Sequence, residues 1–116
     1  MKKLHSHLIG IDQGDVAVFS DFENGGEMWT GAGPRERRCP VKFSDRVREP
    51  PAVQTVTSLW DADTDAAIRA EVVAENITKD GFDVVFRTWG DTRFARIRVA
   101  WTAIGALVDP DDWQLY

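Results

Sequence analysis

The amino-acid sequence predicts an all-β fold in which antiparallel strands form a sandwich. Apolar and polar residues alternate along the second half of the chain, which is the two-residue period of a strand. Turn-forming pairs such as Asp80-Gly81 separate these segments. No segment keeps a helical period over the length that a stable helix needs. The 116 residues suit a single domain, residues 1–116, with a short C-terminal tail from about residue 106.

The clearest strands lie in the second half of the chain. Residues 68–75, 82–87 and 94–101 each alternate apolar with polar side chains. In the last segment Ile97 and Trp101 share one face, and arginines occupy the other. Short turns join the three segments, which predicts an antiparallel meander within the sandwich.

The beginning of the chain is predicted to contain short strands and a long loop. Residues 8–19 are interpreted as two short strands, with Gly10 and Gly14 as the breaks. Residues 20–36 are rich in glycine and are predicted to form a loop. Loops of that length inside a compact domain are usually functional.

Two further strands are predicted before the acidic turn in the middle of the chain. Residues 38–43 form the first, and Pro40 places it at the edge of a sheet because proline cannot donate a ladder hydrogen bond. Residues 52–60 form the second, and residues 61–66 are the acidic turn that follows it.

Net charge excludes several classes of partner. At −5, the chain lacks the basic character that non-specific binding to nucleic acid or to an anionic membrane requires. A neutral partner is expected instead. The single cysteine, Cys39, rules out an intrachain disulfide.

The N-terminal residues Met1-Lys2-Lys3 are followed by no long apolar run. This pattern predicts neither a signal peptide nor a transmembrane span. The default location is therefore the cytoplasm, with release from the cell or display on a particle as the alternative.

Residue types that carry catalysis do not converge in the sequence. It contains no serine nucleophile elbow and no phosphate-binding glycine loop. The histidines, His5 and His7, would share one face of a strand, but no third metal ligand accompanies them. The sequence thus predicts a protein that is not an enzyme and needs no cofactor or metal.

Alternate aspartates in the acidic turn have the spacing of a calcium loop, at Asp61, Asp63 and Asp65. Ala66 stands where such a loop needs glycine, and Val72 stands where it needs glutamate. The segment is therefore predicted to be a solvated turn.

Trp89 differs from the tryptophans that fit a core. It is out of phase with the apolar face of residues 82–87 and stands at a strand end, beside a Gly-Asp loop. An exposed indole can stack on the apolar face of a pyranose, and Arg69 on a neighbouring strand can bind the sugar hydroxyls. The alternative is that Trp89 packs in a subunit interface and Arg69 is a solvated strand charge.

The sequence resembles a known family between Phe43 and Ile104. The resemblance rests on these segments, in order: Phe43 with Pro50-Pro51-Ala52-Val53; Leu59-Trp60-Asp61; Asn76-Ile77-Thr78 with Gly81-Phe82; and Thr88-Trp89-Gly90-Asp91-Thr92 with Val99-Ala100-Trp101. In this order and spacing they are similar to the H-type lectin domain, the family of the snail agglutinins and of the C-terminal domain of the discoidins.

The resemblance implies a six-stranded antiparallel β-sandwich that forms a homotrimer, sometimes paired into a hexamer. It implies that galactose or N-acetylgalactosamine binds, without a metal at that site, in clefts between neighbouring subunits. Arg69 resembles the family's sugar-binding arginine, and Trp89 resembles its stacking tryptophan, contributed from the adjacent subunit. The implied function is a multivalent lectin of the kind used in cell adhesion. The alternative is a structural or adhesion module that oligomerises without strong sugar binding, such as a spike-like component of a particle.

This sequence departs from the family pattern at three positions of the sugar site. Gly90 replaces a histidine of the snail proteins, Ala95 replaces a tyrosine, and Ala32 aligns with the sugar-binding aspartate of the early loop. The acceptor for the sugar hydroxyls is therefore open among Glu27, Glu36 and Asp91. Gly90 is included in the predicted site with Arg69, at the place that the histidine occupies in the snail proteins.

Overall fold

The computed structural model describes residues 1–5 and 7–108, and these form a two-layer β-sandwich with one short helix. The elements in chain order are β1 (Ile9–Ser20), α1 (Glu27–Thr30), β2 (Arg35–Lys42), β3 (Ala52–Ala62), β4 (Ala70–Glu75), β5 (Gly81–Thr88) and β6 (Phe94–Ala106). One sheet has the order β1-β6-β3 and the other β2-β5-β4, with every neighbouring pair antiparallel. The predicted all-β sandwich of six antiparallel strands is confirmed.

Alternate residues of β5 and β6 supply most of the core between the sheets. Phe86 and Phe94 meet edge to face with their ring centroids 5.2 Å apart, and Phe82 meets Trp101 at 5.5 Å. Burying a large apolar side chain of this kind stabilises the fold by about 1.5–3 kcal/mol. The same alternation leaves every second residue of these strands on the outer faces.

The interpretation of residues 8–19 as two strands is wrong, because β1 runs through both glycines. A Cβ atom on Gly10 would lie 2.9 Å from the Leu107 side chain, and one on Gly14 would lie 2.8 Å from the Trp101 indole. Side chains of the core therefore pack directly on the backbone of β1 at these positions. The glycines mark close packing within a strand and not its ends.

The predicted meander is correct only for its first two strands. β4 and β5 pair in a hairpin, whereas β6 crosses to the other layer and pairs with both β1 and β3. Residues 89–93 carry the chain from one sheet to the other. An alternating pattern defines the buried face of a strand, but it does not define the neighbour that the strand pairs with.

The other predictions for the first half hold with shifted boundaries. β2 begins at Arg35 and lies at a sheet edge, as Pro40 indicated, and α1 interrupts the predicted loop. β3 continues to Ala62, so the acidic turn begins after it. The end of the predicted tail, residues 109–116, lies outside the described residues. None of the helical segments among residues 1–5 and 7–108 has the length and apolarity to cross a bilayer.

Candidate functional site

Arg69, Gly90 and Asp91 meet at one end of the β2-β5-β4 sheet. Arg69 immediately precedes β4 and Trp89 immediately follows β5, in strands whose register pairs Ala70 with Thr88. The Arg69 guanidinium donates from Nη1 to Asp91 Oδ1 over 3.1 Å. These residues, Arg69, Trp89, Gly90 and Asp91, are referred to below as the Arg69 site.

The backbone of Gly90 brings the guanidinium close to the chain. Gly90 has a φ of +71°, and a Cβ atom there would lie 3.3 Å from Arg69 Nη1. A side chain at this position would be strained in the left-handed region and would also crowd the guanidinium. Glycine is therefore the residue that this arrangement of Arg69 requires.

Two buried threonines hold the backbone on either side of Ile68. Thr88 Oγ1 donates to the carbonyl of Arg69 over 2.6 Å, and Thr92 Oγ1 donates to the carbonyl of Ala67 over 2.5 Å. Thr92 Oγ1 also accepts the Arg69 N–H at 3.1 Å. Each threonine is 1% exposed, and buried hydroxyls must find partners inside the protein. The main chain of Arg69 is thus fixed from two sides.

Arg35 ties the long loop to the Trp89 loop, a role that the sequence analysis missed. Its buried guanidinium donates to the carbonyls of Thr92 at 2.7 Å and Gly33 at 2.9 Å. The Gly33 N–H in turn donates to the Gly90 carbonyl at 2.8 Å. The available signal was the position of Arg35, which is in phase with the inward-facing residues of β2.

The Trp89 side chain is 42% exposed, and among the described residues it has no hydrogen bond or ring contact. It lines a shallow groove with Pro34, Glu36 and Glu71 on the outer face of the sheet. Arg69 does not line this groove.

Glu36 lies in the same groove, but its carboxylate is already paired. It accepts from Arg87 Nε at 2.8 Å and from Arg38 Nε at 3.2 Å. Glu75 bridges the same two guanidinium groups at 2.7 and 2.8 Å. Hydrogen bonds from Arg87 and Arg38 hold the pKa of Glu75 below its ordinary value, and hydrogen bonds to Glu75 raise the pKa of both arginines.

Glu27, the remaining predicted acidic residue, begins α1. Its carbonyl accepts from Arg35 at 3.3 Å, but no described contact joins its carboxylate to Arg69 or Trp89. Ala32 is exposed and Ala95 is buried. The structure thus brings Asp91 into direct contact with Arg69, places Glu36 beside Trp89, and leaves Glu27 apart from both.

The grouped side chains are suited to binding. Within the part of the chain that the structure describes, no three His, Cys, Asp or Glu side chains are grouped so as to hold a metal ion. Asp61 is paired with Arg96, and Asp63 Oδ1 accepts the N–H of Asp65. An exposed indole and a guanidinium–carboxylate pair offer a stacking surface together with hydrogen-bond donors and acceptors.

Comparison with protein families matches residues 38–104 to the H-type lectin domain. A protein of Fuscovulum blasticum called "ATP synthase subunits region ORF 7" is 50% identical over 107 residues, which cover 92% of this chain and 93% of that protein.

Solved structures with the same fold include discoidin II of Dictyostelium discoideum. The recombinant protein matches with a TM-score of 0.74 and 27% identity over 86% of this chain, and the wild-type protein matches with 0.75 and 26% over 87%. This chain spans 38% of the length of each of those chains.

Proposed function

We propose that this chain, which belongs to the H-type lectin domain family, is a multivalent, non-catalytic lectin for galactose or N-acetylgalactosamine. The observation that carries the proposal is the Arg69 site, where an exposed guanidinium–carboxylate pair lies at the same end of the sheet as an exposed indole. A pyranose has an apolar face for the indole and hydroxyls that both donate and accept hydrogen bonds.

The ion pair between Arg69 and Asp91 suits a ligand whose hydroxyl groups both donate and accept hydrogen bonds. Arg69 Nη1 contacts one carboxylate oxygen, and the other donors of the guanidinium and the second oxygen have no described partner. Exposed ion pairs contribute only about 0–1 kcal/mol, so a sugar hydroxyl can insert between the groups at small cost. Asp91 is the acceptor we favour, because Glu36 is held by two arginines.

We place each sugar in a cleft between subunits, with Arg69 from one chain and Trp89 from its neighbour. The resemblance to the H-type lectin domain supports this arrangement, because it implies that the stacking tryptophan comes from the adjacent subunit. We expect each cleft to be shallow and the monovalent Kd to be on the order of millimolar to high micromolar. Several clefts on one trimer then gain avidity.

An uncharged outer surface supports the trimer. On the β1-β6-β3 sheet, Ile11 pairs with Ile104 and Val56 pairs with Ala100, and the isoleucines and Val56 are exposed. Gln13, Thr102 and Gln54 form the row between these pairs. We call this surface, defined by Ile11, Gln13, Gln54, Val56, Thr102 and Ile104, the neutral face. It is suited to contact with a second and a third copy of the chain.

Glycan-array binding and calorimetry of point variants test the proposal. We expect Arg69→Ala to abolish binding and Trp89→Ala to weaken it at least about tenfold, the equivalent of 1.4 kcal/mol, while both variants stay trimeric. Arg46→Ala is the matched control, because Arg46 forms a similar exposed pair with Asp80 at 3.4 Å. Retained binding in both test variants would contradict the assignment of the sugar site to Arg69 and Trp89. A stable wild-type trimer that binds no glycan would favour the structural adhesion module.

Mixed oligomers test where the two groups come from. Coexpression of Arg69→Ala and Trp89→Ala subunits produces clefts in which an intact Arg69 faces an intact Trp89 from the next chain. Recovery of part of the wild-type binding is expected. If each cleft takes both groups from a single chain, the mixture binds no better than the separate variants.

A further inference from the structure

We infer that each chain has a second carbohydrate-binding cleft, separate from the Arg69 site, that accepts a neutral hexose ring. This cleft, called the Trp29 cleft, lies at the end of the β1-β6-β3 sheet and shares no residue with the Arg69 site. It is lined by Ser20, Phe22, Glu23, Trp29, Asp61, Ala95 and Arg96, of which only Ala95 aligns with a position of the family's sugar site. The inference rests on the proposed lectin function for its ligand class, but it depends on different residues.

Three strands build the floor of the Trp29 cleft. Ser20 at the end of β1 pairs with Arg96 on β6, and Arg96 pairs with Asp61 near the end of β3. Arg96 Nη2 donates to Asp61 Oδ2 over 3.3 Å. The floor therefore carries an exposed guanidinium–carboxylate pair, the same chemical unit that Arg69 and Asp91 form at the other sheet.

Phe22 and Trp29 form the aromatic wall. Their ring centroids are 5.1 Å apart with an interplanar angle of 71°, so the two rings meet edge to face. The Phe22 ring is 57% exposed. An exposed aromatic pair beside polar groups is the surface on which the apolar side of a sugar ring stacks.

The wall is held in place before any ligand binds. The N–H groups of Asp21 and Phe22 donate to the Ala95 carbonyl at 2.8 and 3.3 Å. The buried Asp21 carboxylate accepts the Met28 N–H at 3.0 Å, next to Trp29. Because both aromatic residues adjoin anchored backbone, little conformational freedom is lost on binding, which favours affinity.

The polar groups of the cleft match the hydroxyls of a sugar. Within the described chain, the Ser20 hydroxyl, the Glu23 carboxylate and the Trp29 indole N–H have no hydrogen-bond partner. Together they supply donors and acceptors around the aromatic wall, as a polyhydroxylated ring requires. With two carboxylates and one guanidinium, the cleft disfavours acidic sugars and other anions.

Indole signals in ¹⁵N-resolved NMR spectra test the inference in the intact protein. Galactose, N-acetylgalactosamine, glucose and mannose are each titrated to tens of millimolar, the range of weak monosaccharide sites. Trp29, Trp60 and Trp89 signals are assigned with the Trp→Phe variants, which keep an aromatic ring and favour folding. Trp60 is the internal control, since it is 58% exposed but does not line the cleft.

We expect the Trp29 and Trp89 signals to shift and the Trp60 signal to stay in place. In Trp89→Phe the Trp29 signal still shifts, with a Kd changed less than about twofold. Asp61→Asn raises the Kd reported by Trp29 about tenfold and leaves the Trp89 response unchanged.

Two results would overturn the second cleft while leaving the Arg69 site intact. One is a Trp29 signal that no sugar moves although Trp89 responds. The other is a Trp29 response that disappears in Trp89→Phe, because the two indoles would then belong to one site. Conversely, a response at Trp29 without one at Trp89 would remove the Arg69 site and keep the Trp29 cleft. No response at either indole would overturn both.

Discussion

The outer faces of the two sheets have the same strand geometry and opposite chemistry. On the β2-β5-β4 sheet, Glu36, Arg38, Glu75 and Arg87 form a connected set of ion pairs with contacts of 2.7–3.2 Å. We call this set, with Glu71, the charged face. The neutral face of the β1-β6-β3 sheet has exposed isoleucine, valine and glutamine and a half-buried threonine instead.

The difference indicates what each face is built to contact. On the charged face the carboxylates and guanidinium groups satisfy one another, and desolvating them would cost free energy. The neutral face has little charge to desolvate, although the same sheet carries the pairs between Arg98 and Asp15 at 3.1 Å and between Arg96 and Asp61 at 3.3 Å beside it. Burial against another subunit therefore favours the neutral face. The charged face stays in water except at the end that carries the Arg69 site, where the proposed sugar cleft is shared with a neighbouring chain.

The largest expected effect comes from placing a charge on the neutral face. Val56→Arg puts a guanidinium within the proposed interface, where burying a charge costs several kcal/mol and lowers association more than about 100-fold. Light scattering should show monomers in place of trimers. Lys79→Glu, a charge change in the exposed turn between β4 and β5, is the control and should remain trimeric. A trimeric Val56→Arg variant would mean that the subunits meet elsewhere.

Acid should weaken the charged face. Because its two arginine partners lower the pKa of Glu75 in the folded protein, the folded state binds a proton there less readily than the unfolded chain does. The stabilisation is complete above the ordinary glutamate pKa of 4.5 and is lost as the pH falls below that value through the lower pKa of the folded state.

Melting temperatures against pH measure this loss. We expect Glu75→Gln to melt a few degrees below the wild type at neutral pH, with the difference closing in acid. Glu71→Gln is the matched control, because its nearest guanidinium contact is longer, at 3.7 Å, and its effect should be smaller. A Glu75→Gln difference that stays constant to low pH would contradict a role for the paired carboxylate.

The sequence was sufficient to predict the features that depend on local alternation. The all-β sandwich, the edge position of β2 and the exposure of Trp89 follow from which positions are apolar or lack an N–H, and the resemblance to the H-type lectin domain is confirmed by the matched family. The chain is accordingly a member of a carbohydrate-binding lectin family.

Features that depend on contacts between distant segments were not predictable. Gly10 and Gly14 look like strand breaks, yet they allow Leu107 and Trp101 to pack on β1. The hydrogen bonds of Arg35 join residues up to 57 positions apart, and no local pattern indicates them. The pairing of β6 was not predictable either, because the packing of the whole core determines which strands lie next to it.

The smallest expected effect concerns Gly90, at the end of the charged face that carries the Arg69 site. It distinguishes backbone strain at Gly90 from crowding of the Arg69 guanidinium. Gly33 and Gly90 have φ values of +77° and +71°, so an alanine is similarly strained at either position and costs about 1 kcal/mol. Only at Gly90 does the new methyl group approach Arg69, since nothing lies within 4 Å of a Cβ on Gly33. We expect both variants to melt a few degrees lower, but only Gly90→Ala to lose sugar affinity, by about three- to tenfold, in calorimetric titrations. Equal loss in both variants would assign the effect to loop strain and would leave Arg69 without a demonstrated contact to the sugar.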